Sequence, residues 1–224
     1  INNNTLLEKV NDNTVLLKEI VSFKQGIITG NNKEYLKDTD MNGFVKIIQG
    51  KDFNRYLLDF NNIYLDYTND KLHRPRTSKI FEVPKKILLR QTGSYPIVTI
   101  DTNGYYTLDS VHNGVLINEK YNIYYIVAVL NSKLIRYIYE SKINESGKVF
   151  AQVKIIYIDE IPIKEIDIEL QNQLFDDKVN CMFELNKKIC NLSQKFISYI
   201  SDKYNLLKIT GKIQEFYLYY TVSP

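Results

Sequence analysis

The feature that most restricts the fold is a segment of about 36 residues, Glu169 to Tyr204, with a seven-residue apolar repeat. Phe175, Met182, Leu185, Ile189, Leu192, Phe196 and Tyr199 fall at alternating spacings of three and four, and Lys178 replaces one seam residue. A repeat held this long predicts a single helix whose seam packs against another long helix. At 1.5 Å per residue it is on the order of 50 Å long, more than the width of a small domain, so it projects or packs outside the rest of the chain. Cys181 and Cys190 read as small apolar residues on this helix.

Upstream the pattern is different. Leu16–Ile28, Val45–Ile48, Ile63–Tyr67, Ile87–Leu89, Ile97–Ile100, Tyr105–Leu108 and Val115–Ile117 are short runs rich in Ile, Val and Tyr, separated by Gly, Asn, Asp and Pro. That spacing predicts strands of a twisted, mostly antiparallel sheet or open barrel. Asp101-Thr102-Asn103-Gly104 predicts the clearest hairpin, because Asn-Gly tolerates positive φ. Ile123, Ile126, Val127, Leu130, Leu134 and Ile138 recur with helical spacing behind Asn122, a suitable N-cap. Phe150 to Ile163 reads as a strand pair returning to the sheet, and Asn2 to Asn13 as at most a turn or two of amphipathic helix. The expected class is α+β: a twisted, mostly antiparallel sheet or open barrel with a packed helix, followed by a long C-terminal helix. The expected division is 1–168 for the α+β domain and 169–224 for the helix and tail.

The chain has 224 residues, 44% of them hydrophobic and 25% charged, which suits a folded domain and excludes a wholly disordered one. The longest apolar run, Ile123 to Leu130, falls well short of the roughly 20 residues of a membrane span. Two cysteines and the absence of a signal-peptide pattern point to a reducing cytoplasm. A start at Ile1 and an unpunctuated Tyr-rich end at Pro224 are expected of a fragment of a longer protein.

Catalytic readings find little support. Ser110, His112 and Asp101 or Asp109 lie close together but without a G-x-S-x-G elbow. His73, His112, Cys181 and Cys190 have no zinc-ligand spacing. Gly26 to Lys33 resembles a phosphate loop but lacks the Lys-Ser/Thr that must follow the second glycine. Glu140-Ser141-Lys142 matches part of a nuclease motif without its acidic partner and reads as a solvated helix end. No catalytic residue and no metal ligand is assigned.

The charge distribution is more informative. The net charge is +3, yet Lys71, Arg74, Arg76, Lys79, Lys85, Lys86 and Arg90 fall within twenty residues, opposed only by Glu82. The stretch holds three of the five arginines, whose planar fork suits bidentate contact with phosphate or guanine. Pro75 and Pro84 make it a loop able to follow a groove, and it leads into Arg90-Gln91-Thr92 after a strand. Duplex DNA is the expected partner. Lys71, Arg74, Arg76, Lys79, Lys85 and Lys86 are expected on phosphates, and Arg90, Gln91 and Thr92 on bases or as positioners. Asn31, Lys51 and Arg55 are second candidates for base reading or positioning.

Five segments, in order, carry a resemblance: Gln25 to Lys33, Ile47 to Tyr56, Pro84 to Gly93, Leu130 to Leu134, and Gly147 to Ile163 with its Glu160-Ile161-Pro162-Ile163 ending. Together they resemble the TaqI-like C-terminal specificity domain, the target-recognition part of bacterial adenine DNA methyltransferases and restriction–methylation enzymes, over roughly Val15 to Lys188. The resemblance implies that this chain chooses the DNA sequence and that a separate methyltransferase domain binds S-adenosylmethionine and flips the adenine. No Pro-Pro pair and no glycine-rich cofactor motif stands in this sequence, so no cofactor is expected in this part. The 169–204 helix then resembles a spacer docking on the methyltransferase domain of the same or another chain. Two alternatives remain: a half-length specificity subunit of a multi-subunit restriction system, and a protein-interaction module built on the helix alone.

Overall fold

The structure, a computed structural model, describes residues 10, 12–67, 70–142 and 151–204. The expectations for residues 2–9, for residues 147–150 and for the tail from Leu206 fall outside the described residues.

Two four-stranded sheets organise the chain. The first is antiparallel throughout, in the order β2 (Val21–Gln25), β11 (Val111–Leu116), β8 (Lys86–Arg90), β9 (Val98–Asp101). The second runs β10 (Tyr106–Thr107), β4 (Phe44–Ile48), β7 (Tyr64–Asp66), β3 (Leu36–Lys37), with β10 and β4 parallel. Two short antiparallel pairs complete the strands: β1 (Thr14–Leu16) with β12 (Pro162–Lys164), and β5 (Phe53–Asn54) with β6 (Leu57–Leu58). The helices are α1 (Asn32–Tyr35), α2 (Ile123–Leu130), α3 (Lys133–Lys142), α4 (Ile155–Ile158) and α5 (Ile168–Lys203). The expected α+β class with open, mostly antiparallel sheets and a long C-terminal helix is therefore observed.

Burial explains the layers. Ile87 and Leu89 on one face of β8 join Val98, Ile126, Val127, Leu130, Ile135 and Ile138 in the main core, between the first sheet and α2–α3. Leu88 points the other way and meets Ile48, Phe53 and Val111. A further core of Ile27, Ile47, Leu65, Leu72, Phe81, Tyr106 and Leu108 lies within the second sheet and the basic loop. Gly26 brings the two sheets together, since a Cβ there would stand 2.2 Å from the Leu108 carbonyl oxygen.

The helical segment behind Asn122 is two helices. The Asn122 side chain caps α2 as expected, accepting from the Tyr124 N–H at 2.7 Å. The helix stops at Asn131, whose buried amide accepts from the Val98 N–H at 3.1 Å and donates to the Val98 carbonyl at 3.0 Å. That pair occupies the outer edge of β9, so the break serves the sheet.

Two expectations need correction. Asp101 to Gly104 does turn, with Gly104 at φ +69 and the Asp101 carboxylate accepting from the N–H groups of Asn103 and Tyr105. It does not join a hairpin, because β9 pairs with β8 while β10 pairs with β4 in the other sheet. Residues 151–163 are likewise no strand pair. Ile155–Ile158 form a helical turn that buries Ile158, and β12 pairs with β1.

α5 extends over 36 residues as expected, with Asp167 accepting from the Glu169 N–H at its start. Its first half docks on the domain through Phe175 beside Tyr125, buried Val179, and Phe183 edge-on to Tyr56. Of the expected seam only Phe175 takes part in that docking. Met182, Leu185, Ile189, Leu192, Phe196 and Tyr199 are exposed.

Candidate nucleic-acid interface

The register of the first sheet brings three chain segments to one end. Gln25 closes β2 and lies opposite His112 near the start of β11, and His112 also lies opposite Leu89, just before Arg90 closes β8. Gln91 continues from β8, its N–H donating to the Ser110 carbonyl at 2.9 Å and its carbonyl accepting from the Val153 N–H at 2.7 Å. Thr92, exposed, bridges to Gln152.

The basic loop joins this end through its backbone. Arg74 and Ile28 exchange both hydrogen bonds at 2.9 and 3.1 Å, and the His73 N–H donates to the Thr29 carbonyl at 3.3 Å. The Arg74 side chain is left exposed, beside a turn in which Gly30 takes φ +86 and Asn31 and Lys33 are exposed. Asn31 donates to Glu34 at 3.2 Å, and Thr29 donates to Asn32 at 2.5 Å. Segments forty residues apart in sequence thus place Asn31, Lys33 and Arg74 on one exposed surface.

Arg76 turns inward. Its backbone takes φ +67, its carbonyl accepts from the Tyr67 hydroxyl at 2.6 Å, and its guanidinium donates to the Gly26 carbonyl and to Gln25 Oε1, both at 3.2 Å. The nearby His112 is half-buried. Burial first, and the Arg76 charge second, hold its pKa down to about 4, so the imidazole is neutral at physiological pH.

The other expected phosphate ligands separate. Lys71 is exposed and pairs with Asp66 at 3.3 Å, and Lys79 is exposed beside the second core. Lys85 lies at the opposite end of β8, its ammonium 4.9 Å from the Tyr124 ring centroid. Lys86 must be withdrawn from the set: it is completely buried, ion-paired with Asp101, and bonded to the Phe81 carbonyl at 2.8 Å. Burial lowers its pKa and the Asp101 carboxylate opposes that shift. A cation enclosed on all sides cannot reach a phosphate.

Arg90 and Arg55 are also partly enclosed. Arg90 donates to the Phe53 carbonyl, stacks over the Phe53 ring and has its Nε sealed from solvent. Burial is the leading cause that lowers its pKa. It braces the β4–β5 connection, where a Cβ on Gly50 would stand 3.2 Å from its Cγ. Arg55 lies 5.2 Å from the Tyr95 ring centroid, and Arg136 lies over the same ring at 4.0 Å while pairing with Glu140 at 3.2 Å. These arginines hold the end of the sheet in shape. Lys51 stays exposed.

Gln25 was missing from the expected set, although it heads the first of the resembling segments. Arg136 and Tyr95 carried no sequence signal, since their meeting depends on α3 crossing the loop after β8. Among the described residues no group of three or more His, Cys, Asp or Glu is placed to hold a metal, and no helix is long and apolar enough to cross a membrane.

Exposed Asn, Lys and Arg side chains and half-buried glutamines on loops at a sheet end have the chemistry suited to phosphate contact and to amide hydrogen bonds with base edges. The family model of the TaqI-like C-terminal specificity domain matches residues 45–163, more than half of the sequence, and the chain belongs to that family. No curated protein matches the sequence. Similar solved structures include one described as the structural basis of complex assembly and conformational transition of the type I R-M system, 10% identical with a TM-score of 0.49 over 94% of this chain and 45% of that one. Another is the type I restriction-modification S subunit from M. genitalium, 13% identical with a TM-score of 0.48 over 91% of this chain and 48% of that one. A third is the HsdS subunit from Thermoanaerobacter tengcongensis, 12% identical with a TM-score of 0.46 over 86% of this chain and 45% of that one. The chain spans less than half the length of each.

Proposed function

We propose that this chain is a target-recognition module for duplex DNA in a bacterial restriction–modification system, acting with a DNA-adenine methyltransferase outside these residues. The observation that carries the reading, alongside membership of a specificity-domain family, is that the Arg74 loop pairs with Ile28, three residues past Gln25, whose side chain meets Gln91 at the end of the first sheet. Arg74 and Lys33 hold phosphates at this end and Lys71 and Lys79 hold phosphates away from it, while Gln91, Thr92 and Asn31 face base edges, with Lys51 beside them. Arg55, Arg76 and Arg90 position this end. Neutral His112 adds no charge there. S-adenosylmethionine and the chemistry of methyl transfer belong to the partner, and this chain contributes no catalytic residue.

The direct experiment is to titrate the chain with a randomised duplex pool at about 50 and 200 mM salt and sequence what is retained. The expected result is affinity that falls steeply with salt together with an enriched motif. Absence of binding at the lower salt would overturn the reading.

A second reading concerns how the methyltransferase is met. Six apolar side chains from Met182 to Tyr199 are exposed along α5, which favours a half-length specificity subunit that docks through this helix. Aspartate at Leu185 and Leu192 then abolishes assembly with the methylation chain but leaves duplex binding intact. A module that only binds protein would retain assembly partners and show no duplex affinity.

A further inference from the structure

The hydrogen bonds at the end of the first sheet have a fixed direction. Arg76 can only donate, so the Gln25 atom that meets its Nη2 at 3.2 Å must be the carbonyl oxygen Oε1. The Asp109 carbonyl can only accept, so the Gln25 atom facing it at 3.2 Å must be the amide nitrogen Nε2. Both constraints agree. The same Nε2 lies 3.1 Å from Gln91, and the atom it meets there must be Oε1. Gln91 is thereby left with its carbonyl occupied. Its Nε2 has no hydrogen-bond partner among the described residues and is not sealed from solvent.

We infer that Arg76 and Gln25 act as a polarity relay that makes Gln91 a donor, so that this position of the DNA site selects a base presenting an acceptor. The inference rests on the proposed DNA-reading role of this sheet end, and deepens it. A glutamine amide free to rotate offers either edge and discriminates poorly between donor and acceptor bases. With Oε1 occupied, Gln91 offers two N–H groups. In the major groove these fit guanine O6 and N7 or thymine O4, and are repelled by the cytosine N4 amine. Gln25 and Arg76 are positioning residues, since neither needs to touch DNA. The backbone supports the relay as well. Arg76 is fixed by Tyr67 through its carbonyl, and Gln91 is held on both sides by Ser110 and Val153.

The test uses two isosteric substitutions in the full chain, each read by selection from a randomised duplex pool, with thermal melting to confirm folding. Gln25→Glu still accepts from Arg76 but has no proton for Gln91, so the Gln91 amide turns over and presents Oε1. Gln91→Glu keeps the bond from Gln25 and presents an oxygen directly. Both are expected to move one position of the enriched motif from guanine or thymine to cytosine or adenine by roughly tenfold, leaving the other positions unchanged. A switch in Gln91→Glu without one in folded Gln25→Glu overturns the relay while leaving Gln91 as a reader. No switch in either, against a motif enriched by the wild-type chain, overturns the assignment of Gln91 but not DNA recognition. A wild-type chain that enriches no motif overturns the recognition reading, and this inference with it.

Discussion

β8 carries a cation at each end, and the two have opposite fates. Lys86 is sealed within the protein against Asp101, its partner in register on β9. Arg90, four residues on and about 13 Å away at strand rise, is half-buried at the end where Gln25, Gln91 and the Arg74 loop converge. The difference is one of partners. Asp101 supplies a carboxylate in direct contact at the first end, whereas at the second the guanidinium donates to the Phe53 carbonyl and has the Asp52 carboxylate only as a lesser electrostatic partner. A buried ion pair secures the fold, and a braced but incompletely neutralised cluster leaves electrostatic potential at the surface.

The largest effect is expected at the sealed end. Lys86→Ala leaves the Asp101 carboxylate buried without a cation and should cost about 3–5 kcal/mol in a urea melt. A loss below about 1 kcal/mol would show that this end is open to water and would remove the contrast. Next comes Asn131→Ala, which strips both bonds from the outer edge of β9 and should cost about 1–3 kcal/mol. His112 tests the other end by acid. It resists protonation in the folded state until about pH 4, whereas the unfolded chain takes up its proton near 6.5. The unfolded state therefore binds more protons between those values, and stability falls as pH drops through that window, by about 2 kcal/mol after allowance for partial exposure. His112→Gln should flatten this segment of the pH–stability curve.

Much of the fold was legible in the sequence. Strands near Val45–Ile48, Ile87–Leu89 and Ile97–Ile100, the Asn122 cap and the 36-residue helix follow from periodicity and local hydrogen bonding. What was not legible depends on pairing at a distance. An Asn-Gly turn states that the chain reverses, but not that the next strand joins a different sheet, as β10 does. Ile155, Ile156 and Ile158 have strand propensity, yet burying Ile158 in the main core favours a helical turn. The candidate site divided in the same way. The run of positive charge marked the loop that reaches the sheet end, but Lys86 looked like its neighbours because the carboxylate that encloses it lies fifteen residues away. Gln25 looked unremarkable because its importance lies in Arg76 and Gln91, fifty-one and sixty-six residues along the chain.

The smallest change in stability carries the most functional weight. Arg74→Ala and Lys85→Ala each remove one exposed cation, at opposite ends of the first sheet, and each should alter stability by less than about 0.5 kcal/mol. The salt dependence of duplex binding, measured for both variants beside the wild-type chain, tests the central claim most directly. If the Gln25–Gln91 end is the DNA-binding end, Arg74→Ala lowers the slope of log K against log salt by about one, and Lys85→Ala leaves it unchanged. Equal slopes for the two variants, or a loss confined to Lys85→Ala, would contradict the account.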